Sequence, residues 1–354
     1  MLYSPLKIFH FPEKLASLPR TRTEIRPPLH IRIKPTNVCS HRCRYCSYRA
    51  DDLQLGRDMA QADSIPRAKM MEIVEDVIAM GVRAVTFSGG GDPFCYPFLK
   101  DAAERLAGSQ VRFAALTNGA KMQGDVAELF ARSASWLRVS MDGWDAQSYA
   151  RYRGVSEREF DRVIANMRRF QALGGQCRLG INLIVDRENA SHVFEFIRMA
   201  KTIGVATIKI SPCIVSDSAE QNNQYHQPLL EEVDAQIAKA KRLLESAHFE
   251  VYHAYHSQRA TFEKTYTWCP YMQILPVIGA DQSVYTCQDK AYNRDTGLLG
   301  SIEHQRFRDF WMKDKAKFFA VNPSRDCNHH CVADPKNRLL HEYLEIDREH
   351  LGFV

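Results

Sequence analysis

The chain has 354 residues, of which 45% are hydrophobic and 25% charged, and a net charge of +5. That is the composition of a globular protein with a large core. At ~100–200 residues per domain it suggests two domains, or one with an appendage. No stretch reaches the ~18 uninterrupted apolar residues of a membrane span, and the start, Met1-Leu-Tyr-Ser-Pro-Leu-Lys7, lacks a secretory pattern. A membrane channel, a disordered chain and a collagen-like fibre are therefore excluded, and a cytoplasmic protein is expected.

The net charge is too small to indicate a nucleic-acid partner, and none is expected. The excess is local, because Arg20, Arg22, Arg26, Arg32, Lys34, Arg42, Arg44 and Arg49 fall within thirty residues. They read either as a solvated basic segment or as an electropositive rim for an anionic cofactor or substrate.

In chain order, 31–34 reads as a first strand. Ser64 is expected to N-cap a helix with Pro66 in its first turn, Met70, Met71, Ile73, Val74, Val77 and Ile78 on one face, and Gly81 at its end. Strand-like runs follow at 84–88, 111–117, 136–141, 178–185 and 207–211. Helical patterns lie between them at 98–107, 125–132, 157–173, 190–203 and 229–246. Six strands each followed by a helix predict a parallel α/β fold with right-handed crossovers. Six units are too few for a closed eight-stranded barrel, so the expectation is a partial (β/α)6 TIM-like barrel with its chemistry at the C-terminal strand ends. The expected organisation is an N-terminal segment at 1–29, the barrel at 30–246, a loop-rich extension at 247–335 and a helical tail at 336–354.

Ten cysteines without an export signal point to metal or redox chemistry rather than disulfides. Cys39-Ser-His-Arg-Cys43-Arg-Tyr-Cys46 directly follows the first strand. Three thiolates on one loop can hold three irons of a cubane cluster, leaving the fourth iron without a protein ligand. Structural zinc needs four ligands, and His41 could complete a set only by crowding the same turn. A second group, Cys269, Cys287, Cys327 and Cys331, lies in the extension, where 279–287 reads as a hairpin delivering Cys287 at a strand end. Four thiolates suit zinc or a fully ligated 4Fe-4S cluster, and spacing leaves both open; His329 and His330 read as loop residues. Of the solitary cysteines, Cys177 reads as core and Cys95 follows a glycine loop. Cys213, in Ser211-Pro-Cys213, points into the barrel mouth as a structural residue or a hydrogen donor.

The spacing Cys-x3-Cys-x-Tyr-Cys after a first strand resembles the radical S-adenosylmethionine (radical SAM) superfamily, over roughly residues 30–335. Later motifs come in the family's order: Ser88-Gly89-Gly90-Gly91-Asp92 after the second strand, Thr117-Asn118-Gly119 after the third, Ser140-Met-Asp142-Gly143 after the fourth, then Arg153-Gly154 and Gly180-Ile-Asn182. The resemblance implies a 4Fe-4S cluster on Cys39, Cys43 and Cys46 whose open iron chelates SAM. Tyr45 would lie near the adenine. Ser88, the three glycines and Asp92, where the family more often has Glu, would hold the SAM amino group. Asn118, Ser140, Asp142 and Arg153 would lie near the ribose, the carboxylate or the substrate, although turn chemistry equally explains Asn118 and Asp142.

The extension is similar to the SPASM and shorter twitch auxiliary-cluster domains, resembling the deoxy-scyllo-inosamine dehydrogenase type with one more residue in the closing loop. This implies a second 4Fe-4S cluster on Cys269, Cys287, Cys327 and Cys331. The implied reaction is reductive cleavage of SAM to a 5′-deoxyadenosyl radical, fed by a reductant such as flavodoxin or ferredoxin. The radical takes hydrogen from a small polar substrate (a sugar, aminocyclitol or nucleotide-sugar), which is oxidised with the auxiliary cluster as electron acceptor. Only 38 residues precede Cys39, too few for a peptide-recognition domain. The alternatives are a peptide- or protein-modifying maturase, a redox-neutral epimerase or decarboxylase with Cys213 as hydrogen donor, and a non-enzymatic iron–sulfur carrier or sensor.

Overall fold

The computed structural model describes residues 4–50, 53–255, 264–327, 329 and 331–353. Strands β1 (His30–Ile33), β2 (Ala84–Phe87), β3 (Arg112–Thr117), β4 (Trp136–Ser140), β5 (Arg178–Val185), β6 (Thr207–Pro212) and β7 (Glu250–His253) pair in parallel in sequence order. The connections carry α1 (Arg67–Ala79), α2 (Leu99–Ala107), α3 (Gly124–Ser133), α4 (Ala146–Arg153), α5 (Arg158–Ala172), α6 (Val193–Ile203), α7 (Ala219–His226) and α8 (Leu230–Leu244). This is the expected partial barrel, with β7 as one more parallel strand beyond the six read from the sequence.

Alternation along the strands sorts their side chains. Ile31 and Ile33, Leu137 and Val139, and Ile208 and Ile210 are buried in the core that also takes in Ile73 and Val74 of α1 and Phe196 and Ile197 of α6. The alternate positions are half-buried and polar: Arg32, Arg138, Ser140, Asn182, Lys209 and Ser211.

Three local expectations need correction. Ser64 does not cap α1, which begins at Arg67 with Pro66 before it. Its hydroxyl instead meets Thr36 Oγ1 at 2.6 Å and ties down the chain entering the cysteine loop. Helices α4 and α7 fall in stretches read as loops, because neither sequence carries a clean apolar stripe. Asp145 starts α4 through a capping box with Ser148, and Gly154 ends it at φ +61°.

The extension joins the barrel sheet. Strand β8 (Val277–Ile278) pairs in parallel with β1, and β9 (Ser283–Tyr285) and β10 (Leu298–Ser301) follow antiparallel, giving the order β10-β9-β8-β1-β2-β3-β4-β5-β6-β7. The hairpin expected at 279–287 is the β8–β9 turn, where Gln282 has φ +61°. The tail helix α9 (Asp334–Glu345) begins two residues before the expected 336, and its Leu340 packs with Leu15, Leu18 and Ile274.

One half-buried group gives a pH prediction. His30 Nε2 lies 2.8 Å from Thr86 Oγ1, and burial, with Arg32 nearby, pushes the ring down to about 3 from 6.5. Below pH 6.5 the unfolded chain gains a proton that the folded chain refuses. His30 therefore lowers stability as pH falls from 6.5 toward 3, by up to about 1.4 kcal/mol per pH unit, and has no effect above. His30→Gln is expected to flatten that part of the acid limb in urea unfolding at pH 5 against pH 7; an unchanged difference would refute the assignment.

Candidate active site

The cysteine loop leaves the C-terminal end of β1 and rests on the glycine loop that follows β2. Gly91 N–H donates to Thr36 O at 3.1 Å, and Asp92 N–H to Val38 O at 2.9 Å. A Cβ on Gly91 would lie 2.1 Å from Val38 O, and one on Gly90 2.0 Å from Asn37 Oδ1. The glycines thus make room for the protein's own cysteine loop. The Asp92 carboxylate is engaged as well: it accepts from Asn118 N–H at 2.6 Å, Phe94 N–H at 2.9 Å and Thr117 Oγ1 at 3.0 Å. It holds the end of β3, and so holds Asn118, whose Nδ2 donates to Ser40 Oγ at 3.1 Å and reaches Cys39 Sγ at 3.7 Å.

Helix α4 supports the loop from the other side. Arg42 N–H donates to Arg153 O at 2.8 Å and Arg44 N–H to Tyr152 O at 3.1 Å. The buried Arg153 guanidinium donates to Cys43 Sγ at 3.4 Å and pairs with Asp142, whose other oxygen accepts Ile184 N–H at 2.7 Å. Burial raises Asp142 to about 6, against the opposing pull of Arg153. Tyr45 places its ring 5.7 Å from Arg153 Cζ, and Ser140 sits half-buried at the end of β4 beside Asn182 of β5. Cys95 lies against Ser40 of the same loop. His41 turns away from the cysteines, with Nε2 3.5 Å from Glu159 Oε1, and burial, with Arg153 nearby, holds it near 3 and neutral.

These residues fit an iron–sulfur cluster with a further ligand. Burial pushes Cys39 up to about 11 and also raises Cys46, so cationic iron is needed to keep them as thiolates. Asn118 and Arg153 supply hydrogen bonds to sulfur. The Tyr45 Oη and Ser88 Oγ atoms are buried without a hydrogen-bond partner, which suits a polar ligand.

The second group also converges. Cys269, Cys287, Cys327 and Cys331 line one cavity with Lys264, Tyr266, Thr286, Lys290, His329 and Asn337. Asn337 Nδ2 lies 3.1 Å from Cys269 Sγ, and Thr286 Oγ1 is buried without a partner. Burial pushes Cys269 up to about 11 against its hydrogen bond from Asn337, Cys327 up to about 12 against the pull of Lys290, and Cys287 up to about 12 with Asp289 adding to it. This donor set suits a metal centre held by four thiolates. His329, read as a loop residue, stands at the cavity wall, and ligand atoms of Asp289, His329 and Cys331 lie within 4.8 Å of one another. His330 lies outside the described residues.

Residues 33–200 match the radical SAM superfamily. The chain carries a radical SAM domain. The GTP 3′,8-cyclase of Synechococcus elongatus is 28% identical over 146 residues, 41% of this chain and 42% of that protein. The PqqA peptide cyclase of Gluconobacter oxydans is 25% identical over 186 residues, 52% of this chain and 49% of that one. The chain thus spans about half the length of the curated relatives it matches. Two solved structures share the fold: Streptococcus suis SuiB bound to the precursor peptide SuiA, and native anSMEcpe with bound AdoMet. SuiB has a TM-score of 0.63 at 15% identity, covering 90% of this chain and 72% of SuiB. For anSMEcpe the TM-score is 0.58 at 16% identity, covering 89% of this chain and 97% of that chain. Among the described residues no helix is long and apolar enough to cross a membrane.

Two features of this radical SAM domain were missed or left open by sequence. Lys34, fully buried at the end of β1, donates to Gly89 O at 2.8 Å, to Gln288 Oε1 at 3.2 Å and to Tyr48 Oη. Tyr48 lies two residues after Cys46 and Gln288 directly follows Cys287, so one ammonium spans both cysteine sites. Cys213 lies just past β6 with Sγ 3.8 Å from His226 Nε2, while His226 Nδ1 lies 2.7 Å from Tyr255 Oη. Burial pushes the Cys213 thiol up to about 12, so it stays protonated.

Proposed function

We propose that the chain is a radical SAM enzyme that oxidises a small polar substrate, a sugar, aminocyclitol or nucleotide-sugar, drawing electrons from a flavodoxin- or ferredoxin-type reductant. The observation that carries this reading is the pair of cysteine sites, a three-cysteine loop and a four-cysteine cavity, bridged by Lys34, which donates to Tyr48 just beyond Cys46 and to Gln288 beside Cys287. When bound, a 4Fe-4S cluster with SAM supplies a 5′-deoxyadenosyl radical on one-electron reduction, and that radical removes hydrogen from substrate. In this reading Cys39, Cys43 and Cys46 hold three irons, Asn118 and Arg153 orient the sulfurs, and Tyr45 and Ser88 offer their unpaired hydroxyls to SAM. Cys269, Cys287, Cys327 and Cys331 fully ligate the second centre, which suits it to accepting an electron rather than binding substrate.

The comparison proteins include a nucleotide cyclase, a peptide cyclase and a nucleotide dehydratase, so the reaction itself rests on the site. A second reading, redox-neutral epimerisation, is favoured by one observation: Cys213 keeps its S–H at the end of β6, where it could return hydrogen to a substrate radical. Deuterated water separates the two, since solvent deuterium on a product carbon would eliminate simple dehydrogenation.

The direct test is anaerobic protein incubated with dithionite, SAM and candidate polyols. 5′-Deoxyadenosine is expected in step with an oxidised product, and its absence under reducing conditions would favour an electron carrier. Cys287→Ala is expected to keep at least about a tenth of SAM cleavage while losing product. Full product turnover by that variant would end the electron-acceptor role.

A further inference from the structure

The concave face of the barrel carries cations that neither cysteine site uses. Since Ile31 and Ile33, Leu137 and Val139, and Ile208 and Ile210 pack in the core with the helices, Arg32, Arg138 and Lys209 project to the opposite side of β1, β4 and β6. All three are half-buried, and they lie close enough to repel: burial, with Arg138 and then Arg32 adding to it, brings the Lys209 ammonium down to about 8. Burial also draws Arg138 down to about 10. Among the described residues no carboxylate forms an ion pair with Arg32 or Lys209, and Arg32 Nε is buried without a hydrogen-bond partner. Asp289, reaching in from the second cysteine cavity, is the acid that both Arg32 and Lys209 sense, and it accepts Val332 N–H at 3.1 Å. Lys34 is occupied by Gly89, Tyr48 and Gln288. Beside Lys209 on the same face stand Asn182, its partner across the β5–β6 ladder, and Ser211, whose buried hydroxyl has no partner.

Like charges crowded on one half-buried face gain from a ligand that adds negative charge, and guanidinium forks with an ammonium suit an oxyanion. We propose that the concave barrel face binds an anionic group of the substrate, a phosphoryl or carboxylate, between Arg32, Arg138 and Lys209. This deepens the small-substrate reading above and rests on it for the identity of the ligand as substrate.

The test is calorimetric titration of the anaerobically purified protein, with its iron–sulfur sites filled, using inorganic pyrophosphate and, separately, succinate. At least one probe is expected to bind at one per chain, more weakly as salt rises; pyrophosphate alone would identify a phosphoryl site and succinate alone a carboxylate site. Lys209→Met and Arg32→Met are each expected to weaken binding by about tenfold or more, whereas Lys241→Met on the exposed face of α8 should match the wild type. Protection of the wild-type melting temperature by the same probe, lost in high salt, reads the site without any variant. Failure of both probes to bind the wild-type protein would overturn the proposal. So would unchanged affinity in folded Lys209→Met and Arg32→Met proteins, including the case where only the potential of the second centre moves. Probe binding without 5′-deoxyadenosine formation would sink the radical reading and keep the anion site; the reverse result would sink the anion site alone.

Discussion

Replacing Cys43 with alanine is expected to abolish SAM cleavage, with 5′-deoxyadenosine falling more than about 10³-fold and iron dropping by about four atoms per chain. Cys43 is the middle cysteine of its loop and the one whose sulfur meets Arg153. Without it two thiolates remain, too few to hold a cubane, and a buried guanidinium loses an anionic neighbour while keeping Asp142. The fold should survive, because α4 grips the loop through backbone bonds from Arg42 and Arg44. The measurement is 5′-deoxyadenosine by chromatography beside iron and sulfide analysis and far-UV circular dichroism. Wild-type cleavage by a folded Cys43→Ala protein would remove the first cluster from the interpretation.

Gly91→Ala should act on the same centre without touching a ligand. The added Cβ would sit 2.1 Å from Val38 O and 2.4 Å from Asn37 C. Both are backbone atoms that no rotamer change can move, so the cysteine loop itself must shift. The expected result is loss of the first cluster with retention of the second, iron falling from about eight to about four per chain, and a stability loss of about 1–3 kcal/mol. Gly352→Ala, where a Cβ would meet nothing within 4 Å, is the control. Full iron occupancy in Gly91→Ala would show that the glycine loop does not set the position of Cys39.

Much of this was legible because its signals are local. Cys39, Cys43 and Cys46 lie within eight residues, and β1 to β6 announce themselves as short, largely apolar runs between helical patterns. Residues whose role depends on tertiary contact were harder to read. Lys34 is a charged residue at a strand end, and only the return of Gln288, 254 positions later, makes it a junction. Asp92 was read as facing a cofactor, but Thr117 and Asn118 take up its oxygens once β2 and β3 lie side by side. Helix α4 escaped notice because Ala-Gln-Ser-Tyr-Ala-Arg-Tyr-Arg lacks an apolar stripe, although its Asp145–Ser148 capping box was there to be found. The Arg32, Arg138 and Lys209 layer did leave a trace. Ile-Arg-Ile, Leu-Arg-Val and Ile-Lys-Ile each set a long cation between two buried apolar residues in the middle of a parallel strand.

The lateral pairing of β8 with β1 makes the C-terminal region inseparable from the barrel. His30, Arg32 and Lys34 each send their amide N–H to carbonyls of Ile274, Pro276 and Ile278. A fragment ending near residue 246 would leave that row of donors as a bare edge beside an uncovered lysine, prone to sticking to other chains. Heating the whole molecule should accordingly melt both parts in a single transition, and excising either is expected to yield insoluble material rather than a working half.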